Sequence, residues 1–291
     1  MPGILRRTLL AGLVGAKVCL GAKQTRLAFS LYGMKGMPLP EAIRACQNIG
    51  YEGLSLCVIP GWPADPLQLS RQDRSQLKSV LSSSGITVVS LKERLTLVVE
   101  GEAQLLQLDR LRRAADLGLE LKAPLIETVL GGKTEDWYAR DRMADRLREW
   151  AGVASKRGVT LCVKAELGAA VDSPDKLLWL QKSVGSPFLK FAYDYSHFQL
   201  SGLSPELTMK QLMPSTRLIH LNDAAGTAAM PRFLLPGDGM LDFKEHVRLL
   251  RKFGYRGWVV AEASDQVQSQ TGYHSVRAAQ RCFERLRPVV E

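Results

Sequence analysis

Short apolar runs alternate with longer segments of helical periodicity from Thr25 to the end of the chain. The runs have the length and residue types of buried strands. In the intervening segments, apolar residues recur every three to four positions, as on one face of a helix. The pattern predicts eight strands, at residues 26–33, 51–58, 86–93, 123–130, 159–166, 189–196, 217–223 and 257–263. Strands that alternate with helices form parallel βαβ units, and eight such units close most naturally into a (β/α)8 TIM barrel.

The helices between these strands have a recognisable end signal. Residues 40–50, 74–85, 103–118 and 243–254 each carry a helical pattern that finishes in a glycine, which favours the end of a helix. No segment rich in Pro, Gly and Ser divides the chain, and 291 residues are enough for one large α/β barrel. We therefore expect a single barrel domain over residues 25–291.

Residues 1–24 have a different character. The stretch ILRRTLLAGLVGAKVCLGAKQ has an arginine pair, a mostly apolar run and then small residues, which resembles a twin-arginine export signal. Arg6 and Arg7 would form the pair, with cleavage near Ala22. Lys17 interrupts the apolar run, so an N-terminal amphipathic helix is the alternative. We expect a periplasmic or secreted protein, or otherwise a cytoplasmic one. We also expect no stable membrane insertion after signal removal, because no other segment is long and apolar enough.

Composition narrows the class of function. Apolar residues make up 46% of the chain and charged residues 23%, as in proteins that form a core. The net charge of +10 suggests nucleic-acid binding, but Lys and Arg are spread along the predicted helices and form no tract. We therefore expect a solvated basic surface and no nucleic-acid partner. The five cysteines form no CxxC pair and have apolar neighbours, which favours buried side chains over a zinc site; a disulfide stays open.

Polar residues stand at the ends of the later strands, where barrel enzymes place their chemistry. Asp194, His220 and Glu262 each follow an apolar run in predicted strands six, seven and eight. Two carboxylates and an imidazole are a suitable ligand set for Mn²⁺, Mg²⁺, Co²⁺ or Zn²⁺. Taken singly, each has an ordinary role as a cap, a core histidine or an ion-pair partner. Their occurrence on three consecutive strands predicts a shared divalent metal site.

Two other histidines and one aspartate have structural rather than catalytic interpretations. His246 lies inside a helical pattern and is expected on the surface, whereas His274 opens the last helix as a cap or surface residue. Asp242 follows the turn PGDG and is expected to cap the next helix.

Four segments in order, DYSHF, LIHLNDA, PGDGMLDF and FGYRGWVVAE, carry a family resemblance. The chain resembles the sugar phosphate isomerase/epimerase superfamily of xylose isomerase-like TIM barrels over nearly its whole length after residue 24. Members include sugar epimerases, hydroxypyruvate isomerase, inosose dehydratase and endonuclease IV. The resemblance implies that Asp194, His220 and Glu262 are metal ligands.

The same resemblance implies further contacts with the substrate. His197 matches a second histidine that binds metal or substrate in many members. Asp223 stands where members often have a polar residue behind the ligands, and we expect it at the substrate. Arg232 resembles a basic residue that reaches the substrate in some members.

Strand five departs from the family pattern. GVTLCVKAE places Lys164 where a ligand glutamate is expected and Glu166 two positions later, while Ser55 stands in place of a strand-two glutamate. In a strand, Lys164 and Glu166 would lie on one face. Three interpretations stay open. Lys164 acts as an acid or base, with a lowered pKa, or as a group that polarises the carbonyl, beside a metal that Glu166 helps to bind. Alternatively, its ammonium replaces the metal among Asp194, Glu166 and Glu262. In the third interpretation it forms a structural ion pair with Glu166.

The function implied is proton abstraction next to a carbonyl of a sugar, keto-sugar or polyol derivative, in an isomerase, epimerase or related lyase. Glu262, Lys164 and Glu166 are the expected catalytic residues, and the partner is a small carbohydrate; a homo-oligomer is left open. The alternatives are a metal-free or non-catalytic sugar-binding barrel, and an endonuclease IV-like phosphodiesterase. The chain has only four histidines, whereas endonuclease IV gathers several more around three zinc ions. This difference counts against the phosphodiesterase.

Overall fold

A computed structural model describes residues 25–291, so the predicted export signal and Cys19 lie outside the described residues. Eight parallel strands close into a barrel, and each of the eight predicted strands overlaps one of them. The barrel strands are β1 (Arg26–Ser30), β2 (Gly53–Cys57), β3 (Thr87–Arg94), β4 (Leu125–Val129), β5 (Thr160–Val163), β6 (Leu189–Asp194), β7 (Thr216–Leu221) and β10 (Trp258–Ala261). The predicted fold class is therefore confirmed.

Helices surround the barrel and cover its outer face. They are α1 (Leu39–Ile49), α2 (Arg71–Ser84), α3 (Gly101–Leu121), α4 (Arg140–Ser155), α5 (Pro174–Val184), α6 (Tyr195–Leu200), α7 (Pro205–Leu212), α8 (Phe243–Lys252), α9 (Asp265–Gln268) and α10 (Ser275–Val290). Short 3₁₀ turns lie at Leu31–Met34, Thr134–Ala139 and Met213–Ser215. Within residues 25–291, no helix is both long and apolar enough to cross a membrane.

Alternation along the strands builds the interior of the barrel. Small and medium apolar side chains from seven strands pack there as one cluster: Ala28, Val89, Leu125, Cys162, Ala192, Leu218 and Val260. Side chains two residues apart in a strand share a face. For the last five residues of this cluster, the residue two positions later in the chain therefore also points into the barrel. Those five residues are all charged or imidazole side chains: Glu127, Lys164, Asp194, His220 and Glu262. An apolar floor therefore lies beneath a polar mouth.

One of the predicted helix ends is wrong. Gly50 and Gly85 do take left-handed conformations after α1 and α2. Gly118 instead lies inside α3, which continues to Leu121. A Cβ at Gly118 would lie 3.3 Å from Val159, so the glycine permits close packing of the helix against the barrel.

The connection after β7 contains an element that the sequence pattern did not predict. Strands β8 (Asp223–Thr227) and β9 (Met230–Leu234) form an antiparallel hairpin. The segment has Ala, Gly and Pro in place of an alternating apolar pattern, so the usual strand signal is weak. The hairpin brings Phe233 to the mouth of the barrel.

The structural interpretations of the other residues have mixed outcomes. Asp242 and His274 cap α8 and α10, as expected. His246 is 1% exposed, so its predicted surface position is wrong. Its ring packs against Tyr193 and Tyr195, because it lies on the inner face of α8. Burial lowers the pKa of His246 to about 4, which keeps the ring neutral at pH 7. Cys46, Cys57, Cys162 and Cys282 are buried free thiols, as the apolar neighbours indicated.

Candidate active site

A cavity of about 240 Å³ opens at the carboxyl ends of the barrel strands. Its walls carry both carboxylates and ammonium groups, together with aromatic side chains from the first connection and from the hairpin. The charged and imidazole residues that line it include Lys92, Glu127, Lys164, Glu166, His197 and Glu262. The predicted residues of strands five and eight thus meet at one place with His197, which follows strand six, and with additional residues from β3 and β4.

Asp194 lies at the end of β6 and is 1% exposed. Its Oδ2 accepts hydrogen bonds from Lys164 Nζ at 3.1 Å and Asn222 Nδ2 at 2.9 Å, and its Oδ1 accepts from Ser196 Oγ at 2.6 Å. Burial alone would raise the pKa of Asp194, but Lys164, the nearby histidines and the Ser196 hydrogen bond together outweigh burial and hold this pKa well below its ordinary range. The aspartate is therefore ionised and pairs with a cation.

Lys164 directly follows β5 and keeps its strand register, since its amide donates to the carbonyl of Thr128 at 2.9 Å. Burial would lower the pKa of its ammonium, but Asp194, Glu262 and Glu166 raise it overall. The lysine is therefore a cation that donates hydrogen bonds.

Glu262 follows β10 and has a cation of its own. Lys92, on β3, donates from Nζ to Glu262 Oε2 at 2.5 Å, and its ammonium lies 4.7 Å from the centre of the Tyr32 ring. Although burial opposes ionisation of Glu262, Lys92 and Lys164 together lower its pKa. The pair is buried, with Lys92 9% and Glu262 4% exposed.

His220, on β7, binds a carboxylate. Its Nε2 contacts Glu127 Oε2, while Glu127 Oε1 accepts from Ser55 Oγ at 2.6 Å and Ser90 Oγ at 2.8 Å. Burial would raise the pKa of Glu127, but His220 and Lys92 lower it well below its ordinary range. Ionised Glu127 therefore accepts the Nε2 proton. The other nitrogen, Nδ1, is buried, makes no hydrogen bond among residues 25–291, and lies 3.9 Å from Glu262 Oε2.

These contacts do not fit a divalent metal. An ammonium lies against Asp194 Oδ2 and another against Glu262 Oε2, which are two of the three predicted ligands. Among the three predicted ligands, only His220 Nδ1 and Glu262 Oε1 have no partner within residues 25–291, whereas metal sites of this kind need three or more donors. In the part of the chain that is described, no cluster of three or more His, Cys, Asp or Glu residues is arranged to hold a metal ion.

His197, on α6, lies beside this network. Leu167 donates its amide proton to Nδ1 at 3.2 Å, so the neutral ring carries its proton on Nε2. Nε2 lies 3.7 Å from Asp194 Oδ2, and the ring packs 4.7 Å from that of Phe233. Burial lowers the pKa of His197 to about 4. At pH 7 this residue is therefore a neutral hydrogen-bond donor at the edge of the cavity.

Glu166 differs from the other carboxylates at the mouth. It is half-buried and lines the cavity, yet within residues 25–291 its side chain makes no hydrogen bond or ion pair. It lines this cavity together with Lys164 and Arg94. The structural ion pair between Lys164 and Glu166 does not form, because Lys164 Nζ binds Asp194 instead.

Two predicted substrate-binding residues do not line the cavity. Asp223 is fully buried, and its two oxygens accept from the amides of Gly237, Gly239 and Leu241 at 2.9–3.0 Å. It fixes the turn between β9 and α8. Arg232 is exposed on β9. Side chains alternate along this strand, so Phe233 faces the cavity in its place.

A buried ion-pair network joins α3 to the end of β3, beside the cavity. Arg110, on α3, donates to Glu93 Oε2 at 2.6 Å, Asp65 Oδ1 at 3.3 Å and the carbonyl of Val58 at 2.7 Å. Burial outweighs the effect of Arg110 and raises the pKa of Glu93 to about 7. Because Glu93 follows Lys92 in the chain, this network also fixes the strand end from which Lys92 projects.

Sequence reasoning missed Lys92, Glu127 and Asn222. A signal was available for the first two, since Lys92 and Glu127 interrupt the apolar runs of predicted strands three and four. They also lie side by side in the barrel, as paired residues of β3 and β4. Asn222 directly follows β7 and had no distinguishing pattern.

The chain is similar in sequence to curated inosose dehydratases. Inosose dehydratase of Bacillus thuringiensis is 25% identical over 158 residues, which are 49% of this chain and 52% of that protein. The matched region thus spans about half the length of this relative.

Two solved structures share the fold. D-psicose 3-epimerase from Clostridium cellulolyticum, solved with D-tagatose, has a TM-score of 0.72 and 18% identity over 92% of this chain and 100% of its own. A xylose isomerase-like TIM barrel protein from Mycobacterium smegmatis, solved with magnesium, has a TM-score of 0.71 and 17% identity over 91% and 96%.

The family model described as xylose isomerase-like TIM barrel matches residues 43–286. This match includes seven of the eight barrel strands and every charged residue at the mouth. The chain therefore belongs to the xylose isomerase-like TIM barrel family.

Proposed function

We propose that this protein is a carbohydrate-modifying enzyme of the isomerase, epimerase or lyase type. It would remove a proton next to the carbonyl of a sugar, keto-sugar or polyol derivative. The observation that carries this proposal is an uncommitted carboxylate, Glu166, in one cavity with two ammonium groups. A base beside fixed cations is what proton abstraction next to a carbonyl requires. The names of the relatives, a dehydratase and a ketose epimerase, support the same class of substrate.

The roles follow from which groups are already bound. Glu166 takes the proton from carbon, because Glu262 is tied to Lys92 and Asp194 to Lys164. The electron pair moves to the carbonyl oxygen as the C–H bond breaks, giving an enediolate. Lys92 and Lys164 each have three N–H donors and use one on a carboxylate, which leaves donors for that oxygen.

Later steps decide the reaction class. Return of the proton to the former carbonyl carbon, with transfer of the hydroxyl proton to the former carbonyl oxygen, gives isomerisation. Delivery of a proton by a second acid to the opposite face of the same carbon gives epimerisation. Departure of a hydroxyl from the next carbon, with a proton, gives dehydration. His197 Nε2–H is a neutral donor that would orient a hydroxyl or carbonyl group of the substrate.

The charge of the cavity favours an uncharged substrate. Its lining has five carboxylates against the three cations Lys92, Arg94 and Lys164. Lys92 and Lys164 are already paired with carboxylates, so they supply no surplus positive charge for a phosphate. We therefore favour a free or oxidised sugar over a sugar phosphate.

The experiment is exchange of carbon-bound hydrogen in D₂O, followed by NMR over a panel of ketohexoses, 3-keto-glycosides and inososes. The wild type should exchange a proton next to the carbonyl of at least one compound. Glu166→Gln should slow this exchange at least about a hundredfold, as expected for loss of a general base. Glu149→Gln, the same change at an exposed position of α4, is the matched control.

A non-catalytic sugar-binding barrel is the second candidate. Pairing of Asp194, Glu127 and Glu262 with a cation or an imidazole favours it, because such a cavity is stable without turnover. Saturable binding of a sugar with no exchange in any compound would support this candidate and refute the enzyme. An endonuclease IV-like activity is not proposed, because the cavity lacks the histidine cluster that it uses.

A further inference from the structure

Two lysines lie on the oxygens that a metal would take. Lys92 Nζ is 2.5 Å from Glu262 Oε2, and Lys164 Nζ is 3.1 Å from Asp194 Oδ2. A divalent metal would bind the same atoms at about 2.0–2.6 Å. An ammonium and a metal ion cannot both occupy those positions.

The two lysines are held in these positions by their surroundings. Both are buried, at 9% and 6% exposure, so moving either ammonium away from its carboxylate would leave buried charges unpaired. The ring of Tyr32 lies beside Lys92, and the hydroxyl of Tyr32 is fixed by a 2.6 Å hydrogen bond to Asp265. The backbone of Lys164 is fixed by a hydrogen bond that its amide donates to the carbonyl of Thr128.

The charge of the site also disfavours a divalent metal ion. Two ammonium groups supply the two positive charges that a divalent ion would supply. Asp194 and Glu262 are thereby neutralised, and Glu127 has His220 as its partner. An added divalent ion would bring two further positive charges into a buried cluster whose carboxylates are already paired, and would meet repulsion from both lysines.

We propose that Lys92 and Lys164 together replace the divalent cation of this site, so that the protein neither binds nor needs a metal. Their remaining N–H groups bind the oxygen of an uncharged carbonyl ligand. The statement about metal stands on the contacts alone, whereas the statement about the carbonyl oxygen rests on the proposed function.

Metal binding is the direct test. Purified wild type is incubated with Mn²⁺, Co²⁺, Zn²⁺ or Mg²⁺, desalted and measured by plasma mass spectrometry, and Mn²⁺ is titrated into it by calorimetry. We expect far less than one equivalent and no saturable heat. One equivalent that is lost in Asp194→Asn would overturn the proposal.

A variant that restores the negative charge gives the converse result. Lys92→Met/Lys164→Met leaves Asp194, Glu262 and Glu127 around His220 without a fixed cation. We expect it to bind about one Mn²⁺ and to melt at a higher temperature when Mn²⁺ is present. The control Lys176→Met/Lys252→Met removes two ion-paired lysines outside the cavity and should gain no metal.

The possible results separate the two proposals. A folded double variant that binds no Mn²⁺ would show that these side chains cannot form a cation site, and would overturn the replacement. If the double variant does not fold, wild-type binding alone decides.

Where a substrate has been found, its exchange rate should be unchanged by EDTA within about twofold. That rate should fall about a hundredfold in Lys164→Gln, as for loss of an oxyanion donor. Failure to find a substrate would count against the proposed function but not against metal independence.

Discussion

Substitution of Lys164 by Met should destabilise the protein far more than loss of an ordinary ion pair. Met retains most of the apolar stem of the lysine and removes the ammonium, so the change isolates the charge. Asp194 would then be a buried carboxylate, at 1% exposure, without its cation. Breaking a buried ion pair by removing one partner costs about 3–5 kcal/mol.

The surroundings of Asp194 reduce that cost. Its carboxylate keeps three hydrogen bonds, from Ser196 Oγ, the Ser196 amide and Asn222 Nδ2. We therefore expect the free energy of unfolding to fall by about 3 kcal/mol, the lower end of the range. Asp194→Asn in the Lys164→Met background should recover part of this loss, because the uncompensated charge is removed.

The assay is urea unfolding of both single variants and the double variant at pH 7, followed by circular dichroism. Lys176→Met is the control, since Lys176 on α5 pairs at 2.9 Å with Asp172, which precedes this helix, and both side chains are partly exposed. That pair should contribute at most about 1 kcal/mol. Equal losses in Lys164→Met and Lys176→Met, with no coupling to Asp194, would refute the reasoning that a buried cation holds the site together.

Two other predictions concern regions outside this pair. The pKa of Glu93 is about 7 in the folded protein, above its ordinary value of 4.5, so its protonated form favours folding. Its stabilising contribution is complete below about pH 4.5 and is lost as pH rises through 7, amounting to about 3 kcal/mol at 1.36 kcal/mol per unit. Unfolding from pH 4.5 to 8 should therefore show the wild type losing stability relative to Glu93→Gln; a constant difference would contradict this. We also propose that residues 1–24 direct export: Arg6→Lys/Arg7→Lys should keep the protein in the cytoplasm on cell fractionation, whereas unchanged export would exclude the twin-arginine route.

The barrel could be predicted from the sequence because its determinants are local. Each strand is an apolar run followed by a turn and an amphipathic helix, and that repeat leaves few topologies. Asp194, His220 and Glu262 were predicted to converge for the same reason, since parallel strands of a barrel end at one face. The β8–β9 hairpin escaped prediction because its strands, rich in Ala, Gly and Pro, have no alternating pattern.

The partners of the site residues could not be predicted in this way. Lys164 was recognised as unusual, but the sequence did not decide whether it would bind Glu166 or Asp194. That choice depends on where the chain turns after β5, which sends Glu166 into the cavity mouth and leaves Lys164 directed at β6. Lys92 lies 72 residues earlier in the chain than Lys164, and only closure of the barrel brings both lysines to neighbouring carboxylates.

A crystal structure of the wild-type protein grown with excess MnCl₂, with data collected at a wavelength where manganese scatters anomalously, tests the central claim most directly. We predict Lys164 Nζ on Asp194, Lys92 Nζ on Glu262, and no anomalous peak between them. A manganese ion bound to Asp194, His220 and Glu262, with both lysines displaced, would contradict the account.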